Sequence, residues 1–111
     1  MSHRSWRDRL RDILDAAAEI RAFTQGMDFA AFACDAKTVK AVLADFAVIG
    51  EAARHVHTEV VAAHPDVPWR AMVGMRNVVI HAYFSVEPSI LWETIQHDLP
   101  PLIASIERAL A

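Results

Sequence analysis

Residues that break helices are so sparse here, and so placed, that long helices are almost the only regular structure open to the chain. Three glycines and five prolines are spread over 111 residues. From Trp6 to Thr24 there is neither, and Trp6, Leu10, Ile13, Leu14, Ala17 and Ile20 recur at helical spacing among Arg7, Asp8, Arg11, Asp12 and Asp15. That periodicity predicts an amphipathic first helix. Gln25-Gly26-Met27 should end it, with Gly26 as the C-terminal cap. Asp28 to Ala33 reads as a short turn. Asp35 is a good N-cap for a long second helix reaching about Ala63. Its buried stripe would be Val39, Val42, Leu43, Phe46, Ile49, Ala53, Val56 and Val60.

His64-Pro65-Asp66-Val67-Pro68 reads as a turn, because proline fixes its own φ and restricts its predecessor. Pro68 can open a third helix at its first position, and that helix should end between His81 and Phe84. Ser85-Val86-Glu87-Pro88 connects to a last helix from Pro88 to Leu110, with a kink or break expected at Pro100-Pro101. Strand-like alternation is absent. The length suits one domain, residues 1–111.

Apolar residues make up 54% of the chain, much of it alanine, the best helix former. The excess points to an oligomer. The formal net charge of -3 argues against bulk electrostatic binding of nucleic acid, though it leaves room for a local cationic cleft. Cys34 is the single cysteine, so no internal disulfide can form, and we expect it to be a small buried hydrophobe. The N-terminal segment has no apolar signal region, and the apolar runs are too short to span a bilayer. The expectation is a soluble cytoplasmic protein that does not engage a membrane.

Function should centre on Arg76-Asn77-Val78-Val79-Ile80-His81-Ala82-Tyr83. A segment that only packs does not need a fixed cation, a carboxamide, an imidazole and a phenol within two helical turns. Arginine matches a phosphate with two parallel donors, and histidine moves protons near neutral pH. Singly, each has an ordinary structural role: a surface cation, a core histidine, an aromatic at the core's edge. Arg76 and His81 are about 140° apart at roughly 100° per residue. One helix therefore aims both at one atom only if it is distorted near His81, or if a second copy completes the site across a two-fold axis. A symmetric pair would also supply two histidines for acid and base roles.

Glu51 follows Gly50, which permits close helix approach, so this acid could orient Arg76 or His81. Glu51, His55, His57 and His64 lack the converging pattern of a metal site, so no metal and no cofactor is expected. Trp69 and Trp92 suit the core or a dimer interface better than base stacking.

Arg-x-x-x-x-His-x-Tyr, here Arg76, His81 and Tyr83, resembles the signature of HepT-like toxins of the HEPN superfamily. Asp12-Ile13-Leu14-Asp15, Ile49-Gly50-Glu51-Ala52-Ala53, Pro68-Trp69, Met75-Arg76-Asn77 and Asp98-Leu99-Pro100 look like that family too, in the same order. The resemblance implies an all-α, four- to five-helix antiparallel bundle that forms a homodimer with the two motifs in one cleft. It also implies metal-independent RNA cleavage, with Arg76 and His81 catalytic, Asn77 in support, and 2′,3′-cyclic phosphate products. The implied partner is a minimal nucleotidyltransferase antitoxin that adds AMP to Tyr83. Ala44 and Ala47 depart from the pattern, standing where a cation and an acid are common. A different reading keeps the same helices as a non-catalytic nucleotide-binding or docking module for the nucleotidyltransferase.

Overall fold

The structure is a computed structural model that describes the backbone of residues 5–85 and 87–111, and the side chains of these except 81–85. It is all-helical among the described residues. Helix α1 spans Trp6–Thr24, α2 Phe29–Ala33, α3 Ala36–Arg54, α4 Thr58–Ala63, α5 Trp69–Ser85, α6 Pro88–Glu93 and α7 Leu99–Leu110. A π-helical turn, Thr94–Asp98, joins the last two.

Side-chain caps set the starts. Ser5 Oγ accepts from the Asp8 N–H at 3.1 Å, Asp28 Oδ1 from Ala31 at 2.8 Å and Asp35 Oδ1 from Thr38 at 3.1 Å. Each satisfies a backbone donor that has no partner within the first turn. The Thr38 N–H also holds the Asp35 carboxyl below its ordinary pKa. Gly26, at φ +78°, turns the chain after α1 as expected of a left-handed cap. Asp28 to Ala33 is more than a turn: the Asp28 cap makes it a full turn of helix.

Helix α1 packs along α3, and α3 packs along α5; α7 closes against α1. Leu10, Ile13, Ala17 and Ile20 on α1 are buried, as are Val42, Leu43, Phe46, Ile49 and Ala53 on α3. Val39 and Val60 lie partly buried against this core. Burying such side chains contributes about 1.5–3 kcal/mol each before entropy is counted, so this seam carries much of the fold. Trp69 is buried with its indole N–H donating to the His64 carbonyl at 2.9 Å. Trp92 packs beside Phe32, ring centroids 5.3 Å apart.

Three expectations need correction. The second long helix does not reach Ala63: it stops at Arg54, and α4 begins at Thr58. The His55 Nδ1 lies 2.8 Å from the Glu51 carbonyl, while the His55 backbone N–H turns to Ala52 and Ala53. The imidazole thus takes the carbonyl that would have continued the helix, a local competition familiar at helix ends. Val56 is buried despite the break, so the apolar rhythm hides it. The second correction concerns the prolines. The helix departs from α geometry one turn earlier, at Thr94–Asp98, where the Leu99 N–H reaches back five residues to Thr94. Pro100 and Pro101 then occupy the first turn of α7, the part of a helix that tolerates proline best. Third, Cys34, the C-cap of the short α2, is exposed.

Candidate active site

The polar cluster lies on α5, which is helical from Trp69 to Ser85. Arg76, Asn77, His81 and Tyr83 therefore share one helix, and His81 is not at its end. The distorted terminus that could have brought Arg76 and His81 together is not how the backbone runs. The side chains of His81 and Tyr83 lie outside the described residues.

The position of Arg76 is set by its neighbour on α3. A Cβ added at Gly50 would stand 3.3 Å from the Arg76 Cβ, from the Arg76 backbone N and from the Met72 carbonyl. Those distances leave room for hydrogen only, so glycine lets the two backbones meet here. Met72 and Met75, on the same helix, are buried beneath this contact.

The residue after Gly50 then reaches the cation. Arg76 Nη1 lies 3.9 Å from Glu51 Oε2. The other carboxylate oxygen, Oε1, is 3.9 Å from Arg54 Nε and 3.6 Å from His55 Nδ1. A carbonyl can only accept, so the His55 Nδ1 that bonds to Glu51 O carries a hydrogen. All these side chains are about half exposed, at 42–52%. Pairs this long and this wet stabilise little, and their effect is orientation. Two arginines and a histidine face one acid, giving a local excess of positive charge on a chain whose formal net charge is -3.

The structure thus brings Arg76 and Glu51 together and leaves Asn77 exposed beside them. Arg54 and His55 join the same carboxylate, which sequence reasoning missed, although their i,i+3 and i,i+4 spacing from Glu51 was the available signal. Outward on α5, Val73 and Ile80 are 40% and 49% exposed, seven residues apart, with Asn77 between them. Among the described residues no group of three or more His, Cys, Asp or Glu could hold a metal ion. No described helix is long and apolar enough to cross a membrane.

The site is thus an exposed guanidinium at a glycine-mediated contact between two helices of an all-helical domain. The chain belongs to the HepT-like ribonuclease family, described as "Ribonuclease HepT-like", which it matches over residues 13–109. It is 41% identical over 105 residues to "Probable ribonuclease HepT" of Thermococcus cleftensis, covering 95% of this chain and 96% of that one. It is 35% identical over 107 residues to "Putative RNase MJ1380" of Methanocaldococcus jannaschii, covering 96% and 98%. No solved structure matches it.

Proposed function

We propose that this protein is the toxin of a toxin–antitoxin pair and an endoribonuclease that needs no metal. The observation that carries this reading is the Arg76 guanidinium, its backbone held against Gly50 and its tip facing Glu51 at 3.9 Å. Family membership supplies the substrate class, RNA. The 2′-hydroxyl attacks the adjacent phosphorus and the 5′-oxygen leaves, giving a 2′,3′-cyclic phosphate and a free 5′-hydroxyl. His81 takes or gives the proton, and the His81 of a second copy takes the complementary role. Arg76 stabilises the charge that builds on the phosphoryl oxygens, where a preorganised cation contributes most. Asn77, exposed next to it, supports the phosphate.

The site is completed by homodimerisation through α5. Exposed Val73 and Ile80 on either side of Asn77 are the apolar contribution that supports this arrangement. Tyr83 is the residue to which a minimal nucleotidyltransferase antitoxin adds AMP, placing bulk and negative charge by Arg76. The pair acts in the cytoplasm.

The test is RNA incubated with the protein in excess chelator, compared with Arg76→Ala and His81→Ala. Cleavage to cyclic phosphate ends by the wild type, lost in both variants, is the expected result. RNA left intact by the wild type would point to the non-catalytic docking module instead.

A further inference from the structure

Asp45 has no business in the stripe where it sits. It lies between Val42 and Ile49 on the buried face of α3, adjacent to Phe46, and is only 7% exposed. Its Oδ2 is buried and has no hydrogen-bond partner. Glu19 of α1 stands close enough to the same carboxyl to disfavour its charged form. Burial and the Glu19 charge together push Asp45 up to about 7. No ion pair among the described residues reaches either acid. A buried acid with one unsatisfied oxygen is costly, and native folds seldom keep one without a partner.

Asp45 lines a groove of about 290 Å³ between α1 and α3, with Asp12, Asp15, Ala16, Glu19 and Val48. The acids on α1 follow helical spacing and share its outer face. Val48, at 44%, is among the exposed large hydrophobic residues of the chain. An apolar shoulder next to buried and exposed carboxylates suits a long side chain with an alkyl stem and a cationic head. The described acids form no metal-ligand cluster, so a bare metal ion is a poorer match.

We propose that the groove between α1 and α3 is a receptor for an arginine or lysine side chain presented by a protein partner. The alkyl stem lies on Val48 and Ala16, and the cationic head bonds to Asp45 and Glu19. Any proton held on the raised Asp45 carboxyl leaves to solvent as the cation enters. This receptor is independent of the RNA-cleavage reading and uses none of its residues.

The full chain is titrated with acetyl-arginine amide and followed by NMR of backbone amides and labelled carboxyls. Saturable shifts should gather at Glu19, Asp45 and Val48. Asp45→Asn and Glu19→Gln should each weaken binding by about tenfold or more, the effect of losing a hydrogen bond to a charged group. Glu59→Gln, at an exposed acid on α4, should leave it unchanged. Both groove variants remove negative charge from a crowded site, and thermal melts establish that they are folded. A parallel titration with spermidine separates sources. Saturation by spermidine well below the arginine range would assign the groove to a free polyamine and overturn the protein partner. Shifts scattered over all surface acids, or equal affinity in Asp45→Asn, would overturn the receptor itself.

Discussion

Gly50 and Arg76 meet across the α3–α5 contact so closely that a Cβ on the first would lie 3.3 Å from the Cβ of the second. Two backbone atoms, the Arg76 N and the Met72 carbonyl O, stand at the same distance and cannot swing aside. Gly50→Ala should therefore push the helices apart, costing about 1–3 kcal/mol as overpacked sites do. RNA cleavage should fall further than stability, because the displaced group is Arg76. Urea melts and cleavage rates on the same preparation check this. A variant as stable and as active as the wild type would show that the helices shift at no cost.

Arg76→Lys should damage cleavage nearly as much as Arg76→Ala. Lysine keeps the charge but loses the planar two-pronged donor that matches phosphate. The measurement is kcat/KM for all three proteins on one RNA. Full activity in the lysine variant would leave Arg76 only a point charge.

Glu51→Gln should leave stability within about 0.5 kcal/mol, since its pairs are long and half exposed. Glu51 is a positioning residue, so the loss should appear in kcat rather than in RNA affinity. Glu51→Asp, which retains the charge on a shorter arm, should recover part of it. Unchanged kcat in Glu51→Gln would remove Glu51 from the site.

Asp45→Asn should stabilise the protein at pH 8. The carboxyl ionises near 3.8 in the unfolded chain and near 7 in the fold, raised by burial and then by Glu19. Between those values the folded state holds a proton the unfolded state has released, so stability falls as pH rises and the full penalty is reached above about 7. Asparagine escapes it. Its advantage should be about 1 kcal/mol or more at pH 8 and should shrink toward pH 5. Thermal melts across that range read it directly, and an advantage that grows on acidification would reverse the assignment.

Tyr83→Phe should keep most of its RNA cleavage and escape neutralisation by AMP transfer. A phenol with a reference pKa of about 10 is a poor base at neutral pH, so proton transfer does not require it. Mass spectrometry after co-expression with the nucleotidyltransferase checks the modification. An unmodified Tyr83 in a neutralised complex would mean inhibition by binding alone.

The long helices were legible because their apolar residues keep one period and their breaks coincide with Gly26, Asp35 and the His64–Pro68 turn. The stop after Arg54 was not, because Val56 and Val60 continue the rhythm while the His55 imidazole takes the carbonyl of Glu51. The Gly50–Glu51–Arg76 relation was legible as a possibility, since a glycine before an acid is a local signal. That α5 brings its partner there depends on helix packing, which no spacing within one helix encodes. Asp45 was hidden because an acid within an apolar stripe looks like an ordinary solvated position until the groove above it is seen.

The π-helical turn Thr94–Asp98 holds one residue more than an α turn between its hydrogen-bonded ends. Leu91, Ile95 and Leu99 before and across it, and Leu102 and Ile106 beyond it, are all buried. Two successive steps of four would carry an ordinary helix about 80° round its axis. The wide turn absorbs that drift and delivers α7 with its apolar face still inward. Within this last arm, then, the chain carries a spare residue. Removing Gln96 would tighten the turn to regular α-helix and leave the helices on both sides in phase, whereas removing any one residue inside α7 would rotate everything after it out of the core.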